Sequence, residues 1–192
     1  AHLRGLRKLR SLNLSSFNIS DAGVVSLAHL TTLEKLFLSG QHLTNTGMAH
    51  IKALTQLREF SLSDCQVSDD GLANLKDLTR LRQVLLPGIR VTDAGLANFR
   101  GLTELEALSF DASGVTDAGM ASLEGLTRLR YLTLQHGQMT DAGLIRLKRL
   151  TDLQDLVLAG TRITDAGLVH LKGMTRLRFL DVSDTEVTKG GG

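Results

Sequence analysis

Leucines and their apolar substitutes recur at the same offsets along this chain every 24 residues, with no insertion or deletion to disturb the count. Leu6, Leu30, Leu54, Leu78, Leu102, Leu126, Leu150 and Met174 open eight successive units, with partial units at both ends of a single domain spanning 1–192. The seventh unit shows the apolar set in full: Leu150, Leu153, Leu156, Leu158, Ile163, Leu168 and Leu171. A fixed period in the twenties marks a solenoid, in which each unit is one supersecondary element that stacks on its neighbours. The first half of a unit alternates with period two, as in Leu132-Thr133-Leu134, and predicts a short strand with one side chain inward and the next outward. The second half changes period. In Thr140-Asp141-Ala142-Gly143-Leu144-Ile145-Arg146-Leu147 the apolar residues fall three apart, with Leu150 three further on, which predicts a short amphipathic helix. Alternating strands and helices of this kind give an α/β fold.

The helix starts carry their own signal. Ser20, Thr44, Ser68, Thr92, Thr116, Thr140, Thr164 and Thr188 share one offset, and most are followed by Asp, with Asn45 in one unit. Thr or Asp supplies an N-cap oxygen, and a carboxylate in the first turn suits the helix dipole, so the aspartates are structural rather than a metal or catalytic array. A glycine ladder runs beside them: Gly23, Gly47, Gly71, Gly95, Gly119, Gly143 and Gly167. Glycine inside a helix costs up to about 1 kcal/mol relative to alanine. The ladder therefore implies a close approach, either between adjacent units or between the helix and the strand layer. Phe60, Val84, Phe99, Phe110, Ile51 and Val182 stand in for leucine at core offsets, whereas Cys65 falls at a turn offset and reads as half-buried.

Composition narrows the classes. Hydrophobic residues make up 42% of the 192, enough for one core, and the unbroken period argues against an internal boundary. The net charge is only +2 and the charges are interspersed along the chain, so no field favouring nucleic acid or a membrane is expected. A single cysteine excludes an intrachain disulfide and favours the cytoplasm or another reducing compartment. No apolar run is long enough to span a bilayer, and the basic stretch Ala1 to Arg10 is not a signal peptide.

Leu-x-x-Leu-x-Leu, a turn, and then Ile/Val-Thr-Asp-Ala-Gly-Leu resemble the leucine-rich repeat family over nearly the whole chain. The stretch Cys65-Gln66-Val67-Ser68-Asp69-Asp70-Gly71-Leu72-Ala73-Asn74-Leu75 is similar to the cysteine-containing subtype found in F-box proteins. The shorter units and repeated Thr-Asp-Ala-Gly-Leu look like bacterial 24-residue repeats. The resemblance implies a curved right-handed solenoid with a parallel sheet on its concave side and helices on its convex side. It also implies protein recognition on the concave face. A substrate-recognition arm of a ubiquitin ligase, or a bacterial effector whose active domain lies outside the chain, is the alternative it raises. The chain begins and ends inside helix halves, with no polar capping unit in Lys189-Gly190-Gly191-Gly192 or at Leu3, Leu6 and Leu9. The expectation is either a segment of something longer or ends covered by a partner, including by end-to-end self-association.

Catalytic signatures are missing from the sequence. It holds no phosphate-cradling glycine loop, nucleophile elbow or His-Glu-x-x-His motif, so neither an enzyme nor a cofactor is expected. His2, His50 and His170 share one outward helix offset, but His50 and His170 lie five units apart, too far to share a metal. Outward strand positions remain as the informative surface. Phe37, Leu85, Tyr131, Val157 and Phe179 are the large apolar residues there, and exposed aromatics on a rigid face are candidate anchors for a protein partner. Equal offsets should lie side by side, placing Tyr131, Asp155 and Phe179 in one row and Thr133, Val157 and Asp181 in the next, with Gln135 and His136 nearby. Arg10, Glu34, Arg58, Arg82, Glu106, Arg130 and Arg178 form a mixed charged rim before the strands.

Overall fold

The structure, a computed structural model, describes residues 5–188 and Gly190. His2 and Leu3 at one end, and Lys189, Gly191 and Gly192 at the other, lie outside the described residues. Eight strands form one parallel sheet in chain order. They are β1 Ser11–Leu14, β2 Lys35–Ser39, β3 Glu59–Ser63, β4 Gln83–Thr92, β5 Ala107–Gly114, β6 Tyr131–Thr133, β7 Asp155–Val157 and β8 Phe179–Asp181. Where the ladder is regular, each residue pairs with the one a full unit away, as in Leu108 with Leu132 and Leu132 with Leu156. A slip by one residue would turn every leucine to the open face, so the alternation itself fixes the register. A shared carbonyl reinforces it at the strand entrances. Arg10 O accepts from Glu34 N at 2.7 Å and Lys35 N at 2.9 Å, and the same fork recurs at each later junction.

The helical halves are shorter than an ordinary helix. Single α-turns at α1 Asp21–Val25, α2 Asn45–Met48, α3 Asp69–Leu72, α4 Asp93–Ala97, α5 Asp141–Leu144 and α6 Asp165–Leu168 mostly pass into 3₁₀ turns; the fifth unit has only the 3₁₀ turn Gly119–Leu123. The tighter winding fits because few residues separate each cap from the next unit's opening leucine. Leucines from both layers meet in one continuous core, including Leu105, Leu108, Leu126 and Leu132, all fully buried. Phe99 and Phe110 pack there with ring centroids 6.5 Å apart. Cys65 is half-buried, and burial pushes its thiol up from the ordinary value, which leaves it a poor nucleophile.

The caps resolve into two roles. Thr44, Thr92, Thr140 and Thr164 accept a hydrogen bond from the N–H two residues on, whereas Ser20 and Ser68 make no such bond. The aspartate is not the cap; it reaches into the next unit. Asp117 Oδ1 accepts from Thr140 N at 2.7 Å and its Oδ2 accepts from Thr140 Oγ1 at 2.8 Å. The same staple joins Asp21 to Thr44, Asp69 to Thr92, Asp93 to Thr116, Asp141 to Thr164 and Asp165 to Thr188. Asn45 substitutes with reversed polarity on one arm, its amide donating to Ser68 Oγ at 2.9 Å while Ser68 N donates to Oδ1.

The glycine ladder makes room for these staples. A Cβ on Gly71 would lie 2.5 Å from Asn45 Oδ1, and one on Gly47, Gly95, Gly119, Gly143 or Gly167 would meet the preceding unit's aspartate closer still. Gly23 has no such neighbour and is open to within 3.4 Å of Ile19. The close approach left open by the sequence is therefore between adjacent units.

Candidate functional site

Every second strand residue turns away from the leucine core, so the sheet presents two parallel rows on its open face. In one row Tyr131 is the register partner of Asp155, and Asp155 of Phe179. In the other, Thr133 pairs with Val157 and Val157 with Asp181. These five positions beside Thr133 form one contiguous patch over β6, β7 and β8. Phe37 and Leu85 lie elsewhere, on β2 and β4 with Ser61 of β3 between them. Four strand spacings of about 4.8 Å separate Phe37 from the β6 row, roughly 19 Å. Gln135 and His136 sit past the end of β6 in the strand-to-helix turn, where His136 adopts a left-handed backbone with φ 62° and is exposed.

Within the patch the side chains differ in freedom. Phe179 is 52% exposed and Tyr131 37% exposed. The tyrosine lies along its strand rather than standing clear: its hydroxyl oxygen accepts from Thr133 Oγ1 at 3.1 Å, and Thr133 retains only 5% of its exposure. Asp181 Oδ1 accepts from Ser183 Oγ at 2.6 Å and Ser183 N at 2.9 Å, and the first of these bonds chiefly holds its carboxyl below the usual range. Asp155 is half-buried and has no cation within 4.0 Å among the described residues. The patch thus combines two aromatic faces with two carboxylates, one fixed in place and one unpaired. Such a surface suits a cationic side chain flanked by apolar contact.

The rim before the strands is knitted by ion pairs. Glu34 meets Arg10 at 3.0 Å and Arg58 at 3.7 Å, while Glu106 meets Arg82 at 3.6 Å and Arg130 at 4.0 Å. Lys35 and Glu59 pair at 2.8 Å on the open face itself. Sequence reasoning named the rim but not these bridges, nor the aspartate staples. Both depend on residues a full unit apart, and the constant 24-residue offset between Asp and Asp was the only signal that could have suggested them.

Among the described residues no group of three or more His, Cys, Asp or Glu is placed to hold a metal ion, and no helix is long and apolar enough to cross a membrane. The Leucine Rich repeat family profile matches residues 5–28 and 53–76. The architecture is similar to an internalin from Listeria monocytogenes, with a TM-score of 0.75 and 24% identity over 97% of this chain and 58% of that one. The fold is a leucine-rich repeat solenoid. Similar solved structures include a TDR receptor, with TM-score 0.63 and 21% identity over 94% of this chain and 31% of the receptor. An internalin C2 from Listeria monocytogenes follows, with TM-score 0.53 and 21% identity over 89% of this chain and 77% of that one. This leucine-rich repeat solenoid therefore spans under two thirds of the first two chains it matches. No curated protein matches it.

Proposed function

We propose that this leucine-rich repeat solenoid is a non-catalytic module that seats a protein partner on the open face of its sheet, centred on Tyr131, Asp155 and Phe179. The observation that carries the reading is the register. Parallel pairing sets two exposed aromatics on either side of an unpaired carboxylate, with Val157 and Asp181 in the adjoining row. Leucine-rich repeat folds serve in general as protein-interaction modules, and a rigid sheet loses little entropy when it binds. The chemistry of the patch selects a partner loop carrying Arg or Lys next to an apolar side chain.

The test compares the native chain with Tyr131→Ala/Phe179→Ala as baits in native extract, with thermal unfolding measured in parallel. Neither side chain belongs to the core, so each substitution should shift stability by no more than about 0.5 kcal/mol. Loss of a captured partner at unchanged stability is the expected outcome. If the double variant retains every partner while Phe37→Ala/Leu85→Ala loses one, the binding face lies over β2 to β4 instead.

A further inference from the structure

Charges that alternate in the sequence are sorted by the fold. Because all strands run parallel and in register, every helix-to-strand turn lies along one edge of the sheet and every strand-to-helix turn along the other. Among the described residues, the lysines and arginines outside the helix side and its edge are Lys35 on the open face and Arg90 and Arg162 on the opposite edge. The carboxylates go mainly the other way, through the stapling aspartates together with Asp64, Asp70, Asp111, Asp184 and Glu186. A chain with a net charge of only +2 therefore has one strongly cationic edge and one anionic edge.

On the cationic edge the described carboxylates are already engaged, except the exposed Asp77 beside Lys76. Glu34, Glu104, Glu106, Glu124 and Asp152 each contact an arginine of the same edge. One row escapes this neutralisation. Lys52, Lys76, Arg100, Lys148 and Lys172 occupy the same offset at the ends of the helical turns, all exposed and, among the described residues, none within 4.0 Å of a carboxylate. The sole interruption is Glu124, which pairs with Arg146 at 2.9 Å. A recess of about 430 Å³ between Gln154, Arg176 and Arg178 opens on the same edge.

We infer that this edge is a second docking surface, distinct from the open face, and that its occupant is an acidic protein segment. Charge complementarity gives the sign: a rigid line of unpaired cations, in five of the six units from the second to the seventh, raises the local concentration of anionic groups and steers their approach. Two features select a protein over a nucleic acid. The cation row itself holds no aromatic to stack a base, and the exposed Tyr131 and Phe179 belong to the strands of the open face. The glutamates interleaved with the arginines would oppose a continuous phosphate backbone, whereas an acidic segment with gaps between its carboxylates can pass them.

The test measures fluorescence anisotropy of a labelled peptide of alternating glutamate and glycine and of a labelled duplex DNA against the full chain, across a range of salt. The peptide is expected to bind at low salt and to lose affinity as salt rises. The triple variant Lys52→Glu/Lys76→Glu/Arg100→Glu should weaken it at least about tenfold. The neutralised Lys148→Gln/Lys172→Gln variant, a milder change that guards against misfolding, should weaken it several-fold. Reversal on the opposite edge, Arg90→Glu/Arg162→Glu, should leave it within about twofold. Absence of peptide binding, retention in the triple variant, or equal loss in the opposite-edge control overturns the surface. Duplex DNA bound as tightly as the peptide overturns the choice of occupant.

Discussion

The two edges of the sheet use the same functional group in opposite ways. On the strand-to-helix edge each stapling aspartate accepts a backbone N–H and a hydroxyl from the next unit, and Asp21 takes Gly47 N at 3.0 Å as well. Most of these bonds are partly buried, and one arm of each ends on a backbone N–H of the next unit. On the helix-to-strand edge the glutamates reach arginines through long exposed side chains; at the Arg10–Glu34 pair the arginine side chain is 77% exposed. A carboxylate hydrogen-bonded to backbone amides contributes more than an exposed ion pair, which loses side-chain entropy and is screened by salt. One edge therefore holds the stack together, and the other contributes little to it.

The contrast is broken most severely at the glycines. Gly95→Ala should lower stability by about 2–4 kcal/mol, because the new Cβ would displace the Asp69 carboxylate or separate two units. Gly125→Ala, where nothing lies within 4 Å of the added atom, should be neutral or slightly stabilising. Chemical denaturation of both variants, and of Gly95→Ala/Asp69→Ala, checks the mechanism. If the alanine cost persists undiminished without the aspartate, the collision is not its cause.

Next in size is the staple itself. Asp117→Ala strips both bonds to Thr140 and should cost about 1–3 kcal/mol. Asp117→Asn should retain most of that stability, since Asn45 already serves in the same position by donating to Ser68 Oγ. Thr140, stapled by aspartate, both donates to the carboxylate and accepts from its own helix.

Acid should separate the edges further. Asp21 is held below its ordinary value of 3.8, chiefly by the backbone N–H of Thr44, and Asp165 is lowered chiefly by the Thr188 hydroxyl. A carboxylate whose folded pKa is depressed contributes its full stability above the unfolded value and loses it as pH falls through the folded one. Thermal stability should therefore hold at pH 5 and drop as pH falls below about 4, with a shallower drop in Asp21→Asn. An unchanged acid limb in that variant would remove Asp21 from the explanation.

The smallest effect belongs to the helix-to-strand edge. Glu106→Ala should change stability by less than about 1 kcal/mol although it frees both Arg82 and Arg130, and 1 M salt should erase most of the difference. A larger, salt-resistant loss would mean that the rim contributes to stacking as the staples do.

The local pattern was enough to assign the architecture. Alternation at Leu132-Thr133-Leu134 and its recurrence in every unit dictate parallel strands, because only in-register stacking buries equal offsets together. The same logic placed Tyr131, Asp155 and Phe179 at equivalent offsets, yet not the way Tyr131 lies down on Thr133, which depends on a side-chain hydrogen bond. The aspartate and glycine ladders were visible as letters and separately legible as structural, but their shared purpose was not. Gly95 and Asp69 are 26 residues apart, and only the stacking brings the carboxylate to the place where a Cβ would stand.

Charge shows the division most clearly. The sequence by itself determined the period, the alternation and the caps, since these follow from side-chain direction within a few residues. Interspersed Lys, Arg, Asp and Glu appear balanced along the chain, and only the tertiary structure collects Lys52, Lys76 and Arg100 on one edge and Asp64, Asp70 and Asp111 on the other. Parallel stacking converts a position within the unit into a position on the surface, so a small bias at one offset is multiplied along the sheet.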